Sequence, residues 1–244
     1  MGYRDSPAVG TDAGGAGGAG GAGGALDYVL GVDLGQAADY TALALIKRVT
    51  TRWVPPVGDI KEENAYHVQL LDRAPLDILY PVIVRQVATL LDRPPLSRET
   101  SCVIDRSGVG RAVVDMFTEA DLTPYTVTIT GGDVVTREGR HFNIPKRDIV
   151  GQLVAVYQSG RLKVAKEMEL WPQLVHELTT FKLKISLKTG HDTYEAWRES
   201  DHDDLVLALG LAVWYAENRP GPISLMDPET ANLIQNGWMR DMYG

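Results

Sequence analysis

The sequence predicts an α/β fold with a mixed sheet, antiparallel in its first three strands and parallel later, flanked by helices. Three observations carry this. Short apolar runs such as YVLGVD (28–33) and SCVID (101–105) each end in a carboxylate. The early apolar runs are separated by loops alone, whereas the later ones alternate with segments of helical period. The last ordered-looking element, 203–217, is apolar nearly all round, as a helix buried against a sheet should be.

Taken in order, Tyr28–Asp33 reads as the first strand, followed by the turn-like Gly35. Tyr40–Val49 (YTALALIKRV) reads as a second strand antiparallel to it. A loop with Pro55, Pro56 and Gly58 leads to an alternating third strand, Ala65–Asp72. Leu76–Leu91 has helical spacing, with Pro81 in its first turn or at a kink. Ser101–Asp105 is a fourth strand, and the turn Ser107–Gly110 opens a helix at Arg111–Ala120. Tyr125–Thr130 (YTVTIT) is β-branched and reads as a strand, while Gly131–Asn143 reads as a polar loop or hairpin. Pro145 suits the first turn of a helix over Ile149–Tyr157. A short strand, Leu162–Ala165, precedes a helix through Trp171–Phe181.

Composition narrows the function classes. The 244 residues carry a net charge of −8, which speaks against a globally basic nucleic-acid-binding surface. The single cysteine, Cys102, excludes an internal disulfide framework and a multi-cysteine zinc site. No secretory signal is visible, and the apolar run Leu205–Ala216 is too short to span a bilayer, so a soluble protein of a reducing compartment is expected. Nine of the 25 glycines fall between Gly10 and Gly24, giving a low-complexity leader over 1–25. The folded domain is expected over 26–219, and residues 220–244 change character and read as a tail.

Acids at the ends of buried elements point to chemistry. Asp33 ends the first strand, Asp105 the fourth, and Asp203 and Asp204 open the last helix. In an α/β sheet such ends converge at one edge. Two like charges about 4 Å apart repel by roughly 4 kcal/mol at an effective dielectric near 20. Hard divalent cations with oxygen ligands offset that repulsion, and a pair of them catalyses phosphodiester hydrolysis. Each acid also has a plainer reading. Asp203 and Asp204 suit a helix first turn, with Ser200–Asp203 outlining a capping box; Asp33 suits a turn; Asp105 can bond the turn at Ser107–Gly108. Only the joint pattern favours a metal site.

The segments GVDLGQAADYTALALIKR, CVIDRSGVGRAVVDMF, IPKRDIVGQLVAVYQSGRLKVA and HDTYEAWRESDHDDLVLALGLAVWYA resemble the nuclease domain of large terminase subunits of tailed phages and prophages. The resemblance spans 26–217, and HDDLVLALGLA with the upstream TYEAW is its most specific part. It implies an RNase H-like fold related to RuvC-type resolvases and a DNA endonuclease using Mg²⁺ or Mn²⁺, with two ions. It also implies metal ligands at Asp33, Asp105 and Asp204, with Asp39 as an auxiliary acid and Asp203 as a second ligand or a cap. His202 reads as a helix-start residue. A place in viral genome packaging in the bacterial host cytoplasm would follow, with double-stranded DNA as substrate and a motor, portal or small terminase subunit as partners. The chain departs from the family in lacking a Walker A sequence, G-x-x-x-x-G-K-[ST], so no ATPase motor is expected in it.

Basic residues concentrate where a DNA-facing surface would need them. Residues 140–190 balance at +5, leaving −13 elsewhere. Arg140, Lys146, Arg147, Arg161, Lys163, Lys166, Lys182, Lys184 and Lys188 supply the charge. Of these, Arg140, Lys146, Arg147, Arg161 and Lys163 are expected to contact DNA, together with Arg106 and Arg111 beside Asp105. With no base-reading motif, contact is expected to be with the backbone. Three other readings share these residues. A RuvC-like Holliday-junction resolvase would use nearly the same acids. An ATP-binding fold of the actin and sugar-kinase type would use Asp33-Leu34-Gly35 and Thr41. A non-catalytic remnant would use none.

Overall fold

The computed structural model describes residues 27–35, 39–53, 59–97, 100–187 and 203–219. The leader and tail lie outside them, as do His202, Lys188 and the side chains of Lys182 and Lys184.

Strand β1 (Asp27–Asp33) pairs antiparallel with β2 (Ala42–Trp53), which pairs antiparallel with β3 (Lys61–Arg73). Helix α1 (Tyr80–Leu91) starts at its proline and leads to β4 (Thr100–Asp105), which runs parallel to β1. Helix α2 (Gly110–Glu119) crosses to β5 (Tyr125–Thr130), parallel to β4. Two short strands, β6 (Thr136–Glu138) and β7 (His141–Pro145), form a hairpin. Helix α3 (Lys146–Gln158), β8 (Leu162–Lys163), α4 (Trp171–Leu187) and α5 (Asp204–Asn218) complete the fold. The eight strands lie in the order β6-β7-β5-β4-β1-β2-β3-β8. This is the expected mixed α/β sheet, passing from three antiparallel strands to parallel ones between helices.

Two details differ from the sequence reading. The polar segment after β5 contributes a strand to the main sheet, because β7 pairs parallel with β5 over five residues. The expected strand at 162–165 is only two residues long and docks parallel on the outer edge of β3.

Alternation along the strands sorts the core into two layers. Tyr28, Leu30 and Val32 of β1 join Cys102 and Ile104 of β4 under α1 and α2. Val29 and Val103 face the opposite way, toward α3, α4 and α5. Helix α5 is buried from Asp204 to Ala216 because it is covered by the sheet on one side and by α3 on the other. It comes so close to β1 at Gly31 that an added Cβ would lie 2.0 Å from the carbonyl oxygen of Ala208. Any other residue there would push the helix off the strand.

Candidate metal centre

Strand parity places the acids. Asp33 and Asp105 lie two residues beyond Gly31 and Val103, so both face the α5 layer, on neighbouring parallel strands. Asp204 begins α5 on that same side. Asp33 and Asp204 are buried, at 8% and 6% exposure, and Asp105 is half-buried. Burial pushes the Asp33 carboxyl well above its ordinary value, and the charges of Asp105, Asp204 and Asp203 push it further. Lys146 opposes them. Among the described residues, no group of three or more His, Cys, Asp or Glu side chains closes to a metal-holding cluster. The aspartates face one edge without closing, with Lys146 and Arg73 as the described counter-charges.

Each acid has its own support. Asp105 Oδ1 accepts the backbone N–H of Ser107 at 2.8 Å and the Ser107 hydroxyl. Ser107 Oγ in turn accepts the Ile129 N–H at 2.7 Å, which ties the Asp105 turn to β5. The turn bond anticipated for Asp105 is therefore real, and it engages one carboxylate oxygen in orienting the group. Asp203 sits at the N-cap of α5 and makes no side-chain capping bond, so it is not the cap that the Ser200–Asp203 outline suggests; it pairs with Lys146. The cap comes from Glu177 of α4, whose Oε2 accepts the N–H groups of Leu205 and Val206 at 3.1 and 3.3 Å. Burial raises the Glu177 carboxyl, against hydrogen bonds from Gln173, Arg73 and Val206. Asp39 is exposed and is not among the acids whose charge acts on Asp33.

The expected DNA contacts divide sharply. Lys146 belongs to the acid site, and the exposed Arg147 beside it pairs with Asp133 and Asp148. Arg106 follows Asp105 on the strand and so faces the other side of the sheet, where it donates to Thr128 Oγ1 at 3.3 Å and to His141 Nε2 at 3.0 Å. Arg111 is 88% exposed and forms a solvated pair with Asp115. Arg140 lies over the Tyr125 ring at 3.9 Å and donates to the Thr123 carbonyl. Arg161 pairs with Glu217, and its neighbour Leu162 is in register with Tyr66, level with Arg48 and Asp27 at the start of β1. Six residues at about 3.3 Å each put that row roughly 20 Å from Asp33. Lys163 and Lys166 are exposed on that same edge segment. Among the described residues the linear basic cluster is thus not one surface: Lys146 pairs with an acid of the site, and Arg147 stands exposed beside it.

Sequence reading missed Arg73 and Glu177, and it reached Ser107 only as part of the Asp105 turn. Ser107 carried a signal, since Asp-x-Ser after a strand is an Asx-turn pattern. Arg73 and Glu177 carried none, because their partners are remote in sequence. Cys102 is buried, and burial pushes its thiol up to about 12, so it offers no nucleophile. No described helix is long and apolar enough to cross a membrane.

No family model matches the chain, and no curated protein matches it. Among solved structures, it is similar to the large terminase nuclease of the thermophilic phage G20c. That likeness has a TM-score of 0.49 and 16% identity, over 79% of this chain and 82% of that one. The Mn-soaked human cytomegalovirus terminase nuclease domain is similar with a TM-score of 0.48 and 14% identity, over 81% and 87%. RuvC of Thermus thermophilus aligns with a TM-score of 0.25 at 15% identity, over 78% and 95%.

Proposed function

We propose that the chain is a metal-dependent DNA endonuclease of the large-terminase nuclease type, acting on double-stranded DNA with little sequence preference and without a motor of its own. The carrying observation is the placing of Asp33, Asp105, Asp203 and Asp204 at one sheet edge, where burial and then the charges of the other three raise the Asp33 carboxyl. An all-carboxylate donor set suits a hard divalent cation, Mg²⁺ or Mn²⁺, and two such ions suit the charge. Bound there, the ions would supply water activation and stabilisation of the leaving oxygen.

The chain's own residues do the rest. Asp33 and Asp204 would hold the cations from the sheet and from the helix start, and Asp105 would hold them in the orientation that Ser107 sets. Asp203 keeps Lys146 at the rim, where its ammonium can meet a phosphate oxygen, and Arg147 extends the cationic edge outward. Backbone contact of this kind is insensitive to base sequence and weakens with salt. Portal, motor and small terminase subunits are the partners this reading entails.

Supercoiled plasmid incubated with the chain tests it. Relaxation and linearisation are expected with Mn²⁺ and not with EDTA. Asp33→Asn and Asp105→Asn should each slow cleavage by at least about 100-fold, beyond the usual cost of losing an outer-shell partner. Plasmid left intact with Mn²⁺ sinks the reading, and strong preference for four-way junctions replaces it with the resolvase.

A further inference from the structure

A helix start leaves four N–H groups without intrahelical partners, and an acid at the N-cap is the usual acceptor for one of them. Helix α5 has that acid, Asp203, and does not use it. Its N–H groups go instead to Glu177, 28 positions away from Leu205 in sequence. Asp203 is thereby relieved of capping and pairs with Lys146 instead.

Glu177 is itself held in place. Its Oε1 accepts from Gln173 Nε2 at 3.2 Å and from Arg73. The same Arg73 nitrogen reaches Asp204 Oδ2 at 3.5 Å, farther than its contact with Glu177. The guanidinium lies over the Tyr40 ring at 4.7 Å. Arg73 ends β3 in register with Ala42, which is in register with Asp33, so Arg73 and Asp33 lie on one row across three strands. A permanent cation thus touches one proposed ligand, tethered by a second carboxylate that points at the helix backbone.

We propose that Arg73 and Glu177 are a positioning pair for the divalent cation: Glu177 caps α5 in place of Asp203, and restrains Arg73, the resident positive charge that the cation displaces from Asp204. This rests on the nuclease reading above. The tether decides the outcome. With Glu177 charged, Arg73 has a nearer partner and yields Asp204 readily. With Glu177 neutral, Arg73 turns to Asp204 and competes with the metal, although an amide oxygen still caps the helix.

Calorimetric titration of Mn²⁺ into the full chain, without DNA, reads this directly. Glu177→Gln should weaken Mn²⁺ binding by about tenfold, with the melting temperature shifted by only a few degrees. Adding Arg73→Gln to that variant should restore affinity to within about threefold of wild type, a non-additive pair. At saturating Mn²⁺, the KM for plasmid should not change. A Mn²⁺-soaked crystal of the unmodified chain should show Arg73 on Glu177 and no longer on Asp204, which decides the matter even if the variants do not fold. Unchanged Mn²⁺ affinity in Glu177→Gln, failure of the double variant to recover, or an Arg73–Asp204 contact persisting beside bound Mn²⁺ overturns the inference. A wild-type chain that binds no Mn²⁺ brings down the nuclease reading itself, which is a separate result.

Discussion

At the C-terminal end of α5, Glu217 accepts from Tyr66, Arg161 and Gln152, while Asp27 sits between Arg48 and Arg219. At the N-terminal end, four aspartates converge with Lys146 and Arg73 as the described counter-charges. One helix therefore separates a pole where acids and bases are matched from a pole where acids predominate. Matching stabilises the fold; predominance of one sign costs stability unless a cation arrives. The helix macrodipole favours acids at its N-terminus, but at well under the scale of several converging carboxylates. The proposed metal centre places the working end at the N-terminal pole, and this difference is what supports it.

Removing a charge should therefore have opposite signs at the two poles, and the largest effect belongs to the acid pole with its cation. At a Mn²⁺ concentration about 100 times its Kd, linkage stabilises the wild-type chain by about 2.7 kcal/mol. For a domain of this size that is a rise in Tm of roughly 5–10 °C. Asp33→Asn should melt above the wild type in EDTA, since it removes a buried carboxylate repelled by three others. It should gain little from Mn²⁺. Differential scanning calorimetry with and without Mn²⁺ gives both numbers. A lower Tm for Asp33→Asn in EDTA would mean that the acids are a structural network and the contrast is false.

At the matched pole the same kind of change should destabilise. Glu217→Ala strips Arg161 of its partner and leaves the Tyr66 hydroxyl, on a fully buried side chain, without its acceptor. Breaking a buried pair costs about 3–5 kcal/mol, and these side chains are about one fifth exposed, so about 2 kcal/mol is expected. Urea unfolding should show that loss, while plasmid cleavage by the folded protein stays within about twofold. Loss of cleavage with intact stability would place Glu217 in the catalytic machinery and erase the division between the poles.

What was legible from the sequence follows the same line. Asp33 and Asp105 could be read because each ends a short apolar strand, and burial on both faces imposes runs that are visible in one dimension. Asp204 could be read because a fully buried helix begins at it. The partners could not: Glu177 meets Arg73 across 104 positions, and Lys146 meets Asp203 across 57. The basic cluster misled for a related reason. Charge counted along the chain ignores that β8 carries Arg161 to the far pole, and that Arg106, one residue past Asp105, must face the opposite side of a strand. That last error had a remedy in the sequence itself, the two-residue period. The hairpin alternative for the segment after β5 holds, but five residues ending in proline give too short a pattern to show that β7 also pairs with β5.

The smallest effect tests whether the sensitivity of the acid pole is particular to it. On the other face of the sheet, His141 is a titrating group held between Arg106 and Thr126. Arginine only donates, so His141 Nε2 accepts from Arg106, and Nδ1–H donates to Thr126 Oγ1 at 2.9 Å. Burial, and then the charge of Arg106, hold its pKa below the ordinary 6.5, with hydrogen bonds to Asn143 and Thr126 and the charge of Glu138 acting the other way. The native state therefore binds fewer protons than the unfolded chain as pH falls through 6.5. The contribution to stability is fully present above that value and is lost as pH falls toward the native-state pKa. Because the ring is solvent-screened, the loss should be small, on the order of one degree in Tm between pH 7 and the mid-5 range. It should be absent in His141→Gln and the same with or without Mn²⁺. A His141 contribution that changes when Mn²⁺ is added would show that the two faces are coupled, and that charge at the acid pole is felt across the sheet through Asp105 and Arg106.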